Sequence, residues 1–152
     1  MNQTLNELIP KAIDAIQVKI ALDNGKVVKE YKGYLNGMGP GLIQAGLVTM
    51  LAFCTDIEKK RTEVHRNNVL KAIHYMIDKD YAGSTDNHLL KYVISKCLKE
   101  GSHYNQSQRL TSMDLDPEKV EVMESVIMNH VLALKMAIKT FHLIENPKKV
   151  GS

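Results

Sequence analysis

Tryptophan is absent from this sequence, and the aromatics are limited to six Tyr and two Phe. Leu, Ile, Val, Met and Ala must therefore build the core. Long apolar runs are also missing. None approaches the ~20 residues of a transmembrane helix, so no membrane contact is expected. The opening MNQTLNELIP carries neither the basic patch nor the apolar stretch of a signal peptide, and a cytoplasmic protein is expected. Cysteine is confined to Cys54 and Cys97, each within apolar helical spacing. They read as reduced core thiols rather than a disulfide framework. No segment alternates with period two for long, which argues against a strand-built fold. A strong charge of one sign is lacking: the net charge is +3 over 152 residues. That balance permits contact with nucleic acid without arguing for it.

What is present is helical spacing. The content, 44% hydrophobic and 24% charged, is that of an ordinary globular chain. Leu5, Leu8, Ile9, Ala12, Ile13, Ile16 and Ile20 form one apolar stripe, opened by a capping box of Thr4 and Glu7 and closed by Asn24 and Gly25. Val27, Val28, Tyr31, Tyr34 and Leu35 continue with helical spacing. Further helices are predicted over about Glu63–Lys79 and Asn87–Glu100, separated by a turn at Tyr81–Asp86. A polar surface loop is expected at Ser102–Ser112. Asp116–Pro117 then starts a last helix reaching about Glu145, roughly 43 Å long at 1.5 Å per residue. The prediction is all-α: a single domain over residues 1–150, a bundle of about five to six helices with a long C-terminal one.

One stretch invites another reading. NGMGPGLIQAGL, residues 36–47, sets Gly37, Gly39, Gly41 and Gly46 around Pro40. A dinucleotide fingerprint needs a third glycine where Leu42 stands, and a phosphate loop needs Lys and Ser or Thr where Leu47 and Val48 stand. No strand precedes the stretch. Pro40 suits a first helical turn, and Gly41, Ala45 and Gly46 would admit a neighbouring helix closely. A loop launching a tightly packed helix from Pro40 to Lys60 is predicted, not a nucleotide site.

Catalytic patterns are missing as well. His65, His74, His88, His103, His130 and His142 are scattered and match no zinc spacing. His130 falls on the apolar stripe of the last helix and reads as a hydrogen-bonded packing residue. No Ser or Cys sits in a nucleophile elbow. Asp114, Asp116, Glu118, Glu121 and Glu124 stand at a helix start, where negative charge opposes the macrodipole, so no metal is implied. Neither a cofactor nor enzyme activity is expected. Basic residues say more. Lys59, Lys60 and Arg61 are consecutive, with Arg66 a turn later, and Lys135, Lys139 and His142 share a helix face. Lys91, Lys96 and Lys99 form a third group. Phosphate contact asks for positive charge at backbone spacing. The competing reading is a solvated face with capping cations. Few aromatics lie near these lysines, so base stacking should be minor and binding should follow the backbone.

GPGLIQAGLVTMLAF (39–53), preceded by YKGYL (31–35), and NHVLALKMAIKTF (129–141) resemble two blocks of the small helical subunit of the Cmr effector complex. That complex is the RNA-guided type III-B CRISPR machinery, built from RAMP-module proteins. The resemblance implies an all-helical subunit without a nuclease site. It would stack with copies of itself and other Cmr subunits in antiviral defence, along the path of guide RNA and target RNA. Base pairing reads the sequence in such systems, and protein touches the backbone. On that reading Lys59, Lys60, Arg61, Lys135 and Lys139 face RNA. Lys135 matches a family motif position; the others follow from charge. Apolar residues around Met38 and Met113 would serve subunit stacking. Two alternatives stand beside this reading. One is a helical protein–protein adaptor that never touches nucleic acid. The other is a small helical enzyme using His65 or His130.

Overall fold

The computed structural model describes residues 4–80, 88–101 and 114–147. The predicted turn at Tyr81–Asp86, the loop at Ser102–Ser112 and Met113 lie outside them. The described elements are α1 (Leu5–Lys19), β1 (Val27–Val28), α2 (Glu30–Ala45), α3 (Leu47–Cys54), α4 (Arg66–Ile77), α5 (Leu89–Cys97) and α6 (Pro117–Ala137). A short 3-10 turn, Ile138–Thr140, and β2 (Leu143–Ile144) follow. Among the described residues the fold is all-α but for this two-strand pairing and a single antiparallel bridge between Leu98 and Leu115, with a long C-terminal helix.

The core is mainly aliphatic, with the ring of Tyr31 buried in it. The α1 stripe buries Leu8, Ala12 and Ile16, and α6 buries Ile127, Val131 and Leu134. The long helix α6 packs on α1, α2 and α5, while α1 also packs on α4. Ala12, Ala15, Ala133 and Ala137 are fully buried, and such small side chains let helix axes approach. The predicted capping box does not form. Thr4 makes no side-chain cap, and its carbonyl accepts from Glu7 and Leu8 instead, each at 3.1 Å. The first helix also stops at Lys19, ahead of Asn24 and Gly25, which shape the turn into β1.

The glycine-rich stretch is the largest correction. It is not a loop but the second half of α2. Tyr31, Leu35, Met38 and Leu42 recur at i, i+4, i+7 and i+11, and all four are buried. This apolar face outweighs the local cost of Gly and Pro. Pro40 deprives the Asn36 carbonyl of its helical partner, but Asn36 is exposed and water can serve it. Met38 is likewise buried, which removes it from any stacking surface. The glycines do not admit a close helix either. A Cβ at Gly46 would meet nothing within 4 Å, and one at Gly41 would sit 3.5 Å from Met50, an ordinary van der Waals contact.

Gly46 breaks the predicted Pro40–Lys60 helix in two. Its φ of 87° and ψ of 164° belong to a region that essentially only glycine adopts. Gly46→Ala is expected to lower stability by about 1–3 kcal/mol, read as a lower urea midpoint at unchanged m-value. An unchanged midpoint would contradict the strained backbone.

Val27 and Val28 are strand, not helix. They pair in parallel with Leu143 and Ile144 through Val27 N–H to the His142 carbonyl (3.0 Å) and Lys29 N–H to the Ile144 carbonyl (2.9 Å). The Lys29–Glu145 ion pair flanks them. Pairing here ends the last helix early. Its 21 residues span about 31 Å rather than 43 Å.

Candidate nucleic-acid interface

Where the outer face of α2 meets the end of α6, a cleft of about 280 Å³ opens. Lys32 and Asn36, four residues apart, contribute from α2. Lys135 and Lys139, also four apart, contribute from α6 and the turn after it. Leu35 and Ile138 close the floor and are buried. Among the described residues, none of these three lysines makes an ion pair or side-chain hydrogen bond. Lys32 and Lys139 are exposed, and Lys135 is half-buried. Three unneutralised ammonium groups around one small concavity raise the local positive potential and favour an anion. Lys135 also stands in the last turn of α6, where a cation opposes the negative helix end.

The sequence groups Lys135 with Lys139 but gives little sign that Lys32 lies beside them. Tyr31 and Leu35 face inward, which turns Lys32 outward, yet only the packing of α2 on α6 brings it to the other two.

The other predicted cluster lies apart, between α3 and α4. Lys59 pairs with Glu63 at 3.4 Å, and Lys60 is exposed. Arg61 is engaged in structure. Its Nε donates to the Val18 carbonyl at 2.7 Å and an Nη to the Ala21 carbonyl at 2.6 Å, closing the end of α1.

The histidines hold structural posts. His65 and His88 cap α4 and α5 by accepting the backbone N–H of Asn67 (3.0 Å) and Lys91 (3.3 Å) at Nδ1. His130 is buried against the Val126 carbonyl at 2.7 Å, so its Nδ1 carries the proton, as a packing histidine on that stripe would. Asp116 accepts from Glu118 N–H at 2.9 Å and caps α6, the role its position predicts. Burial pushes both thiols up, Cys97 to about 11, so each stays protonated. Among the described residues, no three His, Cys, Asp or Glu side chains converge as a metal site would need, and no helix is long and apolar enough to cross a membrane.

Three histidines titrate below their ordinary range. Desolvation is the largest cause at His74, His88 and His130, and positive neighbours, Lys91 beside His88 and Lys11 beside His130, add to it. The unfolded chain therefore takes up protons near the ordinary value of 6.5 that the folded chain still refuses. Stability is full above that value and falls as pH drops through it. The urea midpoint should be clearly lower at pH 5.5 than at pH 7.5, above the range of ordinary carboxylates. An equal midpoint at both would count against buried neutral histidines.

Residues 6–111 match the family described as CRISPR-associated protein (Cas_Cmr5). The chain belongs to this family. The matched span holds the whole of α1 to α5 bar the first residue of α1, and with it Lys32, Lys59, Lys60 and Arg61. It takes in the 39–53 block and ends before α6, so Lys135 and Lys139 lie beyond it. No curated protein and no solved structure matches the chain. As a member of Cas_Cmr5, the chain is a Cmr-complex subunit by family.

Proposed function

We propose that this Cas_Cmr5 chain is a non-catalytic subunit of a cytoplasmic RNA-guided effector in antiviral defence. It contacts the sugar-phosphate path of guide RNA and target RNA through the cleft of Lys32, Lys135 and Lys139. The carrying observation is that these lysines converge from α2, α6 and the turn after it, without an acidic partner among the described residues. Lys59 and Lys60 add a second contact. Arg61 is left out of the contact set, because the end of α1 holds its guanidinium. The capping and buried roles of His65 and His130 support the absence of catalysis. Assembly with copies of itself and with other RAMP subunits is part of the same reading. Ile43 and Val122, 80% and 62% exposed, are large apolar groups fit for it.

Two experiments test this reading. Tagged chain drawn from its native host at moderate salt should bring down RAMP subunits and short guide RNAs. A preparation free of both would refute the subunit role. For the RNA contact, log affinity should fall linearly with log salt, by about 0.7 per phosphate neutralised on a single strand. A flat response would favour an adaptor that meets only protein.

A further inference from the structure

The family reading predicts contact with backbone alone, but a second cationic feature of this chain has a different chemistry. Arg66, the first residue of α4, lies over two rings. Its guanidinium carbon is 4.7 Å from the centroid of Tyr34 on α2 and 5.4 Å from that of Phe53 on α3. Phe53 is 74% exposed, which is rare for so apolar a ring. Arg66 is exposed too, and among the described residues it makes no ion pair. The cluster stands on a fixed base. Tyr34 packs edge-on against buried Tyr31 at 5.7 Å and 88°, and Tyr31 is tied to Asn68 at 2.8 Å.

A guanidinium stacked on rings keeps its five N–H donors in its own plane, free for an oxyanion. An exposed phenyl ring offers a face to another flat π-system. A flat π-system joined to an oxyanion is a nucleotide. In a duplex the base faces are already stacked, so an unpaired nucleotide fits best. We infer that Arg66, Phe53 and Tyr34 form a binding site for an unpaired nucleotide, Phe53 stacking its base and Arg66 taking its phosphate. This rests on the RNA reading above and extends it from duplex path to single strand. At 100° per residue, Tyr34 stands about 200° around α2 from Lys32, so cleft and ring cluster can be tested separately.

The test is fluorescence anisotropy of the full chain with labelled oligoribonucleotides at low salt: a single strand, the same strand with abasic sites, and a duplex. Phe53→Ala and Arg66→Ala should each weaken the single strand roughly fivefold or more. Phe53 is exposed, so its truncation spares the fold, and circular dichroism checks this. The abasic strand should bind the intact chain as weakly as the normal strand binds Phe53→Ala. Phe53→Trp should restore or exceed normal affinity. The salt slope should not change in Phe53→Ala, which removes no charge.

Each outcome decides one of the two ideas. Salt-dependent binding indifferent to Phe53→Ala and to abasic sites overturns the nucleotide site and leaves the lysine cleft standing. Phe53-dependent single-strand binding that ignores substitutions at Lys135 and Lys139 supports the site and refutes the cleft. No binding of any RNA overturns both, and leaves the ring cluster to a protein partner.

Discussion

Charge reversal of Lys135 and Lys139 together is expected to cut RNA affinity about a hundredfold or more at low salt. Three positive groups around the cleft become one positive and two negative. Attraction is replaced by repulsion at the point where phosphate would sit. The salt slope should fall by about 1.4, the share of two single-strand phosphates. The fold should survive. Lys139 is exposed, Lys135 only half-buried, and losing a cation at the helix end costs about 0.3–1 kcal/mol. A control separates local from net charge. Lys26 and Lys96 are exposed and form no ion pair among the described residues. Reversing them changes the net charge equally. If both double variants bind RNA alike, the cleft has no special role. If only the cleft variant fails, the convergence of α2 and α6 is the reason.

The second large effect concerns stability. Asn68→Asp is expected to cost about 3–5 kcal/mol at neutral pH, enough to unfold much of the chain. The change is nearly isosteric, so no cavity enters. Asn68 is fully buried, and its amide nitrogen donates towards the Tyr31 hydroxyl (2.8 Å), the Arg61 carbonyl (3.2 Å) and the Glu63 carbonyl (2.7 Å). Carbonyls only accept, so the nitrogen must face them. A carboxylate there would set negative charge against two carbonyl oxygens without solvent. Burial would raise the pKa of the new acid above its ordinary ~3.9, so the penalty grows with pH above that value. Measured against the parent chain, the loss in melting temperature should be smaller at pH 5 than at pH 7.5. Equal losses would mean that the site is wetter than its burial indicates.

Much of this fold is legible in the sequence where one face of a helix is apolar throughout. The α1 stripe and the inward residues Ile127, Val131 and Leu134 of α6 are found by periodicity alone. Periodicity also runs through Tyr31, Leu35, Met38 and Leu42, yet Gly and Pro rules pointed to a loop there. Local preference of about 1 kcal/mol per Gly yields to burial of four large side chains. The paired strands were illegible for another reason. Two residues cannot display a period of two. The site divides likewise. Lys135 and Lys139 show as an i, i+4 pair on one helix. Lys32 joins them only through packing of distant segments. Arg66, Phe53 and Tyr34 come from three helices, and nothing in their spacing announces that they meet.

The pairing of Val27 with Leu143 joins points 116 residues apart. Closing a loop of that length costs on the order of 4 kcal/mol in chain entropy before any of the ladder's backbone hydrogen bonds, at about 0.5–1.5 kcal/mol each, can form. Such a clasp cannot nucleate folding. It forms once α1 and α6 have docked and brought its ends together. It is therefore a reporter of completed assembly within the chain. Val27 and Val28 are themselves buried in the core, so the Val27 and Lys29 amides should open to solvent only when the docking of α1 and α6 is lost.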